Sequence, residues 1–355
     1  MKRKLDPFRK IPDEICELIL SFLHDVEDIK NASLVSKHWY KLIGTSKSCM
    51  KRIYLKPKES HSNYEFFKSI MDSTRIYQNL ELNDRFRKVK RNTKYLRLMR
   101  DVVTKLAPTL VSLKISTDLI IKVDLPRLKE LEINGCNYHS LISANGLLTK
   151  TKGLEILRID NSDIDHKSVK YIRNFLMEND SLKVLKIDDN RPLHKLNSSN
   201  IKFRLEELYS SLLTPLPYEF YKVHSDSLRI TNTSLTRDSM ICFMTNFSKL
   251  HTLTLTGYFH RVDPFDIPFN STIRTLKFNV SEYSLRDGQN NFLIVNLIEK
   301  VRNLQEIEIT FLNRQIFRAL INRQSLKSVK FRKCDLEQQD YDEIQFQDNI
   351  KFTML

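Results

Sequence analysis

The chain is poor in glycine, with six in 355 residues and never two within four positions. That scarcity excludes the G-x-G-x-x-G turn and the P-loop, both of which press glycine backbone against phosphate. No serine sits in a G-x-S-x-G elbow and the nine histidines contain no H-E-x-x-H pattern, so no catalytic residue is assigned. Acid pairs such as Asp188 and Asp189 fall in a turn after a strand, where carboxylates are ordinarily solvated. Cysteine is equally sparse. Cys16, Cys49, Cys136, Cys242 and Cys334 form no C-x-x-C pair and have no histidine at zinc-finger spacing. They read as reduced packing residues, which implies no bound metal, no RING domain within this chain, and an intracellular setting in the cytoplasm and/or nucleus. No cofactor is expected. Long apolar runs are missing too: the stretch Ile15 to Leu23 is broken by Glu17 and Ser21, well short of the roughly 18 residues a membrane span needs. The start, MKRKLDPFRK, is basic but leads into no apolar signal core, so neither export nor membrane association is expected.

Lysine and arginine number 58 against 43 acidic residues, a formal charge of +15 that favours anionic partners. The excess concentrates only in RFRKVKRNTKYLRLMR, Arg85 to Arg100. It reads as a solvated face around Phe86, Val89, Leu96 and Met99, with a nucleic-acid or nuclear-import patch as the alternative.

From Pro12 to Leu23 the apolar residues Ile15, Leu18, Ile19 and Phe22 recur at helical spacing and form one face. Pro12 suits the first helical turn, and Asp13 and Glu14 suit the positive end of the helix dipole. A second helical stretch carries Ile29, Ala32 and Val35, and a third carries Trp39, Leu42 and Ile43 before Gly44. Three short helices bury too little surface to stand alone, so this unit is expected to be an interaction module.

Beyond residue 109 the pattern becomes apolar-x-x-apolar-x-apolar, repeated. The copies are Leu110, Leu113, Ile115; Leu128, Leu131, Ile133; Leu154, Leu157, Ile159; Leu182, Leu185, Ile187; Leu205, Leu208; Leu228 and Ile230 with Ser225 in front; Leu250, Leu253, Leu255; Ile273, Leu276, Phe278; Leu304, Ile307, Ile309; and Leu326, Val329, Phe331. The mean period of about 24 residues lies in the leucine-rich-repeat range and is too short for doubly wound units, which need about 30. Cys136, Asn190 and Cys334 occupy a later place where a buried polar side chain can satisfy turn backbone. Helices are expected over Ser168 to Met177, Asp238 to Phe247, Phe292 to Val301 and Gln315 to Ile321. The fold class is therefore α/β: a small three-helix unit at 8–50, a helical and short-strand linker and cap at 51–108, a solenoid of about ten repeats at 109–340, and a tail at 341–355. Strands line the concave face and helices the convex face. Within the linker, Lys51 to Leu55 and Phe86 to Lys90 read as strands and Thr93 to Leu106 as a helix, since open solenoid ends need caps.

The segment IPDEICELILSFLHDVEDIKNASLVSKHWYKLI, Ile11 to Ile43, resembles the F-box. The resemblance rests on Ile11-Pro12, Glu14-Ile15, the run Ile19 to Leu23, Asp28-Ile29 and Val35-Ser36-Lys37 before Trp39. Ile11 replaces the usual leucine. It implies docking on a Skp adaptor, and through it on a cullin and a RING subunit, with Ile11, Pro12, Ile15, Leu20, Leu23, Val35 and Trp39 carried over to the contact. For each of these, packing inside the three-helix unit is the alternative. F-box followed by leucine-rich repeats is a familiar family arrangement, which implies a substrate-recognition subunit of a ubiquitin ligase and not an enzyme. The other readings are a basic nucleic-acid-binding solenoid and an F-box scaffold without a degradative role. The first needs aromatics among the cations, and of the strand centres only Tyr209 qualifies, so nucleic acid is not the expected partner.

Side chains alternate across a strand, so the residue between the last two apolar positions points away from the core. Reading that place gives Lys114, Glu132, Arg158, Lys186, Tyr209, Arg229, Thr254, Lys277, Glu308 and Lys330. The expected substrate contacts are Lys114, Arg158, Lys186, Tyr209, Arg229, Lys277 and Lys330, and the expected substrate is a protein with an acidic or phosphorylated segment. An ordinary solvated face is the alternative.

Overall fold

The computed structural model describes residues 11–23, 26–50, 52–57, 63–82, 93–115, 121–134, 147–151, 153–160, 166–189, 191–194, 196–210, 216–233, 237–256, 267–280, 289–345 and 350–355. Among the described residues the architecture is mixed α/β: N-terminal helices are followed by thirteen strands, parallel and in sequence order within each unit, with helices between them. Two compact units divide the chain, Met1–Ile156 with Asn161–Ser168, and Leu157–Asp160 with Val169–Leu355.

The N-terminal helices are α1 (Asp13–Ser21), α2 (Val26–Val35), α3 (Lys37–Thr45) and the single turn α4 (Lys47–Met50). The strands of the first unit are β1 (Tyr54–Leu55), β2 (Asn79–Leu82), β3 (Ser112–Ile115) and β4 (Glu130–Asn134), with α5 (Asn63–Asp72) and α6 (Thr93–Leu106) between them. Next comes β5 (Ile156–Asp160), and the second unit continues with β6 (Val184–Ile187), β7 (Glu207–Ser210), β8 (Ile230–Thr233), β9 (Thr252–Thr256), β10 (Thr275–Asn279), β11 (Glu306–Asn313), β12 (Ser328–Asp335) and β13 (Lys351–Met354). The helices between them, His166–Glu178, Arg237–Asn246, Gln289–Lys300 and Arg314–Ile321, match the expected segments to within a few residues.

The repeat pattern explains this stacking. Each strand offers alternate side chains to the core, and a parallel neighbour in register places like upon like. Leu80, Leu113 and Leu131 form one such row, fully buried. Leu185 pairs with Leu208, and Leu253, Leu276, Ile307 and Val329 continue the buried row through β9 to β12. The leading apolar residue of each copy is buried as well, and in most copies the carbonyl just after it accepts two successive amides from the next copy. Arg229 and Ile230 donate to the Glu206 carbonyl at 2.8 and 3.2 Å, and Arg274 and Thr275 donate to that of His251, both at 2.9 Å. Each repeat thereby fixes the register of the next. Between strands, aromatic rings fill the helix layer: Tyr221 meets Phe243 edge-on at 4.8 Å, and Phe67 of α5 meets Tyr95 of α6 at 5.6 Å.

The structure departs from the expected phase in one copy. Leu208 pairs with Thr231 and Tyr209 with Asn232, so Thr231, not Ile230, is the buried strand residue, and Leu228 is the leading position in place of Ser225. Arg229 consequently lies before β8 and outside the outward column, where Asn232 stands instead. Threonine fits because its branched Cβ fills a pleated surface nearly as well as valine. Its hydroxyl finds no partner among the described residues. Thr231→Val should therefore stabilise the second unit by about 1 kcal/mol, read as an upward shift in the denaturant midpoint, because an unpaired buried hydroxyl is removed at constant volume.

Strands also extend beyond the expected solenoid. β1 and β2 lie in the segment read as linker, and β13 and the helix Gln338–Gln345 occupy most of the segment read as a tail. The expected strand Phe86 to Lys90 is outside the described residues, as are Cys136 and Asn190, while Cys334 is half-buried in β12.

Candidate functional site

The helix α1 has two working faces. Cys16 and Leu20, one turn apart, are buried in a core with Ile29, Ala32, Trp39, Leu42, Ile43 and Cys49. The face read from the sequence is turned outward: Ile15 is 47% exposed, Leu18 54%, Ile19 39% and Phe22, just past the helix end, 67%. Leu34 and Val35 at the end of α2 are exposed as well. Four large apolar side chains on one face of a short helix are an unusual surface, and each is worth about 1.5–3 kcal/mol when fully buried.

This face is held in place by polar contacts at every end. The Pro12 carbonyl accepts from Ile15 and Cys16, both at 3.1 Å, starting α1. The Asp13 carboxylate lies 3.2 Å from His38 Nε2 of α3. The Ser36 hydroxyl caps α3 by accepting from the Trp39 amide at 3.2 Å, which gives the serine of Val35-Ser36-Lys37 a physical task. At the far end of α1, Arg52 donates to the Ser21 carbonyl at 3.0 Å and to the Leu23 carbonyl. Arg75, from the segment between α5 and β2, lies over the Tyr40 ring, 4.0 Å from its centre.

Residues 8–56 match the model of the F-box-like family. The N-terminal domain is F-box-like. No curated protein matches the chain. Of the seven F-box residues carried over to an adaptor contact, Pro12, Ile15 and Val35 are exposed, Ile11 and Leu23 pack half-buried against the core, and Leu20 and Trp39 lie within it. The exposed apolar surface of the F-box is instead completed by Leu18, Ile19, Phe22 and Leu34. The helical period already carried the first three. Leu34 lies inside the resembling segment but belongs to neither its hallmark residues nor the helical period.

The outward strand residues are placed as expected except for Arg229, which lies before β8, and Thr254, which is in register but buried, and most are paired within the sheet. Lys114 meets Glu132 at 3.0 Å, Lys186 meets Asp160 at 2.6 Å and Lys277 meets Glu308 at 3.0 Å. Glu308 also stands in register with Lys330. Lys56, just past β1, pairs with Glu81 at 2.8 Å. The Tyr209 hydroxyl donates to Glu207 at 2.9 Å, and burial together with that carboxylate pushes its phenol up to about 12. Arg229 reaches Glu206 only at 3.8 Å. The column is thus a ladder of matched charges, not a uniform basic strip. The pairing came from acids on neighbouring strands, which reading one strand at a time does not reveal. Asp189 has a local role in its turn, accepting from the Arg191 amide at 2.9 Å and from its guanidinium at 2.8 Å.

Among the described residues no three His, Cys, Asp or Glu side chains are grouped to hold a metal ion, and no helix is long and apolar enough to cross a membrane.

Proposed function

We propose that this chain is the substrate-recognition subunit of a Skp-cullin-F-box ubiquitin ligase, its F-box docking on the Skp adaptor and its strand repeats binding a target protein for ubiquitylation. The observation that carries the reading is the exposed apolar face of α1 on a domain of the F-box type. Such a face gains by association with an apolar groove, and the tight internal core behind it presents it without rearrangement. The repeats supply what a receptor needs: a rigid face of many outward side chains on regular spacing.

The test is capture of a purified Skp-type adaptor by the intact chain. Ile19→Asp with Phe22→Ala changes two exposed residues, so the fold should persist, and affinity should fall at least about 100-fold because an apolar anchor is lost and a charge would be desolvated. Full capture by a folded double variant would remove the basis of the reading. Comparing proteins co-purified by the intact and double-variant chains would then expose targets that escape turnover.

A further inference from the structure

Among the described residues of the second unit, a second line of cations stands apart from the outward column, on the row just ahead of the strands. The residue after each leading apolar position there is, in order from β7 to β12, Glu206, Arg229, His251, Arg274, Gln305 and Lys327. Their adjacency is fixed by backbone bonds: Arg229 donates to Glu206 at 2.8 Å, His251 to Arg229 at 3.0 Å, Arg274 to His251 at 2.9 Å, Gln305 to Arg274 at 2.7 Å and Lys327 to Gln305 at 2.8 Å. Arg229, His251, Arg274 and Lys327 are all exposed. The single acid in the row, Glu206, is engaged by Arg229 at 3.8 Å, and among the described residues Arg274 and Lys327 have no carboxylate partner.

The spacing of these cations selects a ligand geometry. Parallel strands stand about 4.8 Å apart, so the two strand steps from Arg229 to Arg274, and the two from Arg274 to Lys327, are each about 9.6 Å. A polyproline II segment has three residues per turn and rises about 3.1 Å per residue, which returns a side chain to the same side every 9.3 Å or so. Carboxylates at every third residue of such a segment therefore meet Arg229, Arg274 and Lys327 in step. A β-strand ligand does not, because its third residue faces the opposite side. Nucleic acid fits less well. The row offers base stacking one ring, the imidazole of His251, and the exposed Phe269 on the turn leading to β10 already has Lys300 Nζ 4.5 Å and Arg302 Cζ 4.8 Å from its ring centre.

We propose that this row binds an acidic segment of a partner protein in the polyproline II conformation, with Asp or Glu at every third position. The probe is a pair of fluorescein-labelled heptapeptides of identical composition, Glu-Pro-Pro-Glu-Pro-Pro-Glu and Glu-Glu-Glu-Pro-Pro-Pro-Pro, titrated by anisotropy against the full chain at low salt. The spaced peptide should bind at least about tenfold more tightly than the clustered one. Arg274→Glu with Lys327→Glu should erase that preference, as should the milder Arg274→Gln with Lys327→Gln, while Lys330→Glu on the sheet face should leave it intact. Equal binding of the two peptides, a preference that survives in the Gln variant, or tighter binding of a seven-nucleotide single strand than of the spaced peptide would each overturn the proposal. No adaptor enters the assay, so its outcome is separate from that of the F-box capture experiment.

Discussion

Leu185→Asp should unfold the second unit, whereas Lys183→Asp, two residues earlier, should leave its melting temperature nearly unchanged. Leu185 is fully buried in the β6 row and stands in register with the equally buried Leu208. An aspartate there must either ionise without a counter-ion in an apolar layer or take up a proton. Either way the cost is several kcal/mol, plus that of the lost leucine packing. A domain holds only about 5–15 kcal/mol in reserve. Repeats contact mainly their neighbours, so damage in one copy removes the support of the copies on both sides. Lys183 is exposed ahead of the strand, and its backbone carbonyl accepts from Glu206 at 2.7 Å, a bond the substitution retains. Thermal melts of both variants provide the measurement. Equal midpoints would mean that the strand phase is misassigned at β6, and with it the identity of the outward column.

The repeats were legible wherever burial falls on apolar side chains at fixed places, which is why nearly every leucine of the pattern is in the core. They were illegible where a place is filled by something else. Neither Leu80 of β2 nor Phe352 of β13 is preceded by a leucine three residues earlier, so neither strand announced itself. In β8, Thr231 took the buried position while Leu228 and Ile230 offered a false match three residues too early, and Arg229 was carried into the column by that slip. The start of α1 was legible because a helix start favours particular residues, here Pro12 followed by Asp13 and Glu14, whereas the Ser36 cap of α3 emerged only from the structure. The division of α1 into a packed face and a presented face was less so. Both faces are apolar, and only the contacts of Cys16 and Leu20 show which one the domain uses for itself. Pairing of Lys114, Lys186 and Lys277 with acids depends on register between strands, a relation that alternation along one strand does not contain.

One buried group had no sequence signal at all, and it adds to the acid sensitivity of the second unit. His224 follows the helix Tyr218–Val223 and is fully buried. Its Nδ1 accepts from the Leu205 amide at 3.3 Å, its ring stacks on Phe203 at 5.5 Å and it meets Phe220 edge-on at 4.9 Å. Burial, and to a lesser degree the Arg204 guanidinium, lowers its pKa from 6.5 to about 3. The folded state therefore holds His224 neutral while the unfolded chain protonates it below about pH 6.5. The unfolded state binds the extra proton in the window from about 6.5 down to about 3, so stability is fully present above that window and falls through it at up to about 1.4 kcal/mol per pH unit. Leu205 is the leading residue of the β7 copy, so protonation would also take the acceptor from the amide that anchors that repeat. His224→Gln keeps a polar acceptor but cannot titrate in this range. Urea unfolding at pH 7 and pH 5 should show wild type losing about 2 kcal/mol more than His224→Gln over that interval, with carboxylate protonation contributing equally to both. Parallel losses in the two proteins would mean that the imidazole accepts a proton in place, with water reaching a ring that the packing of Phe203 and Phe220 otherwise excludes.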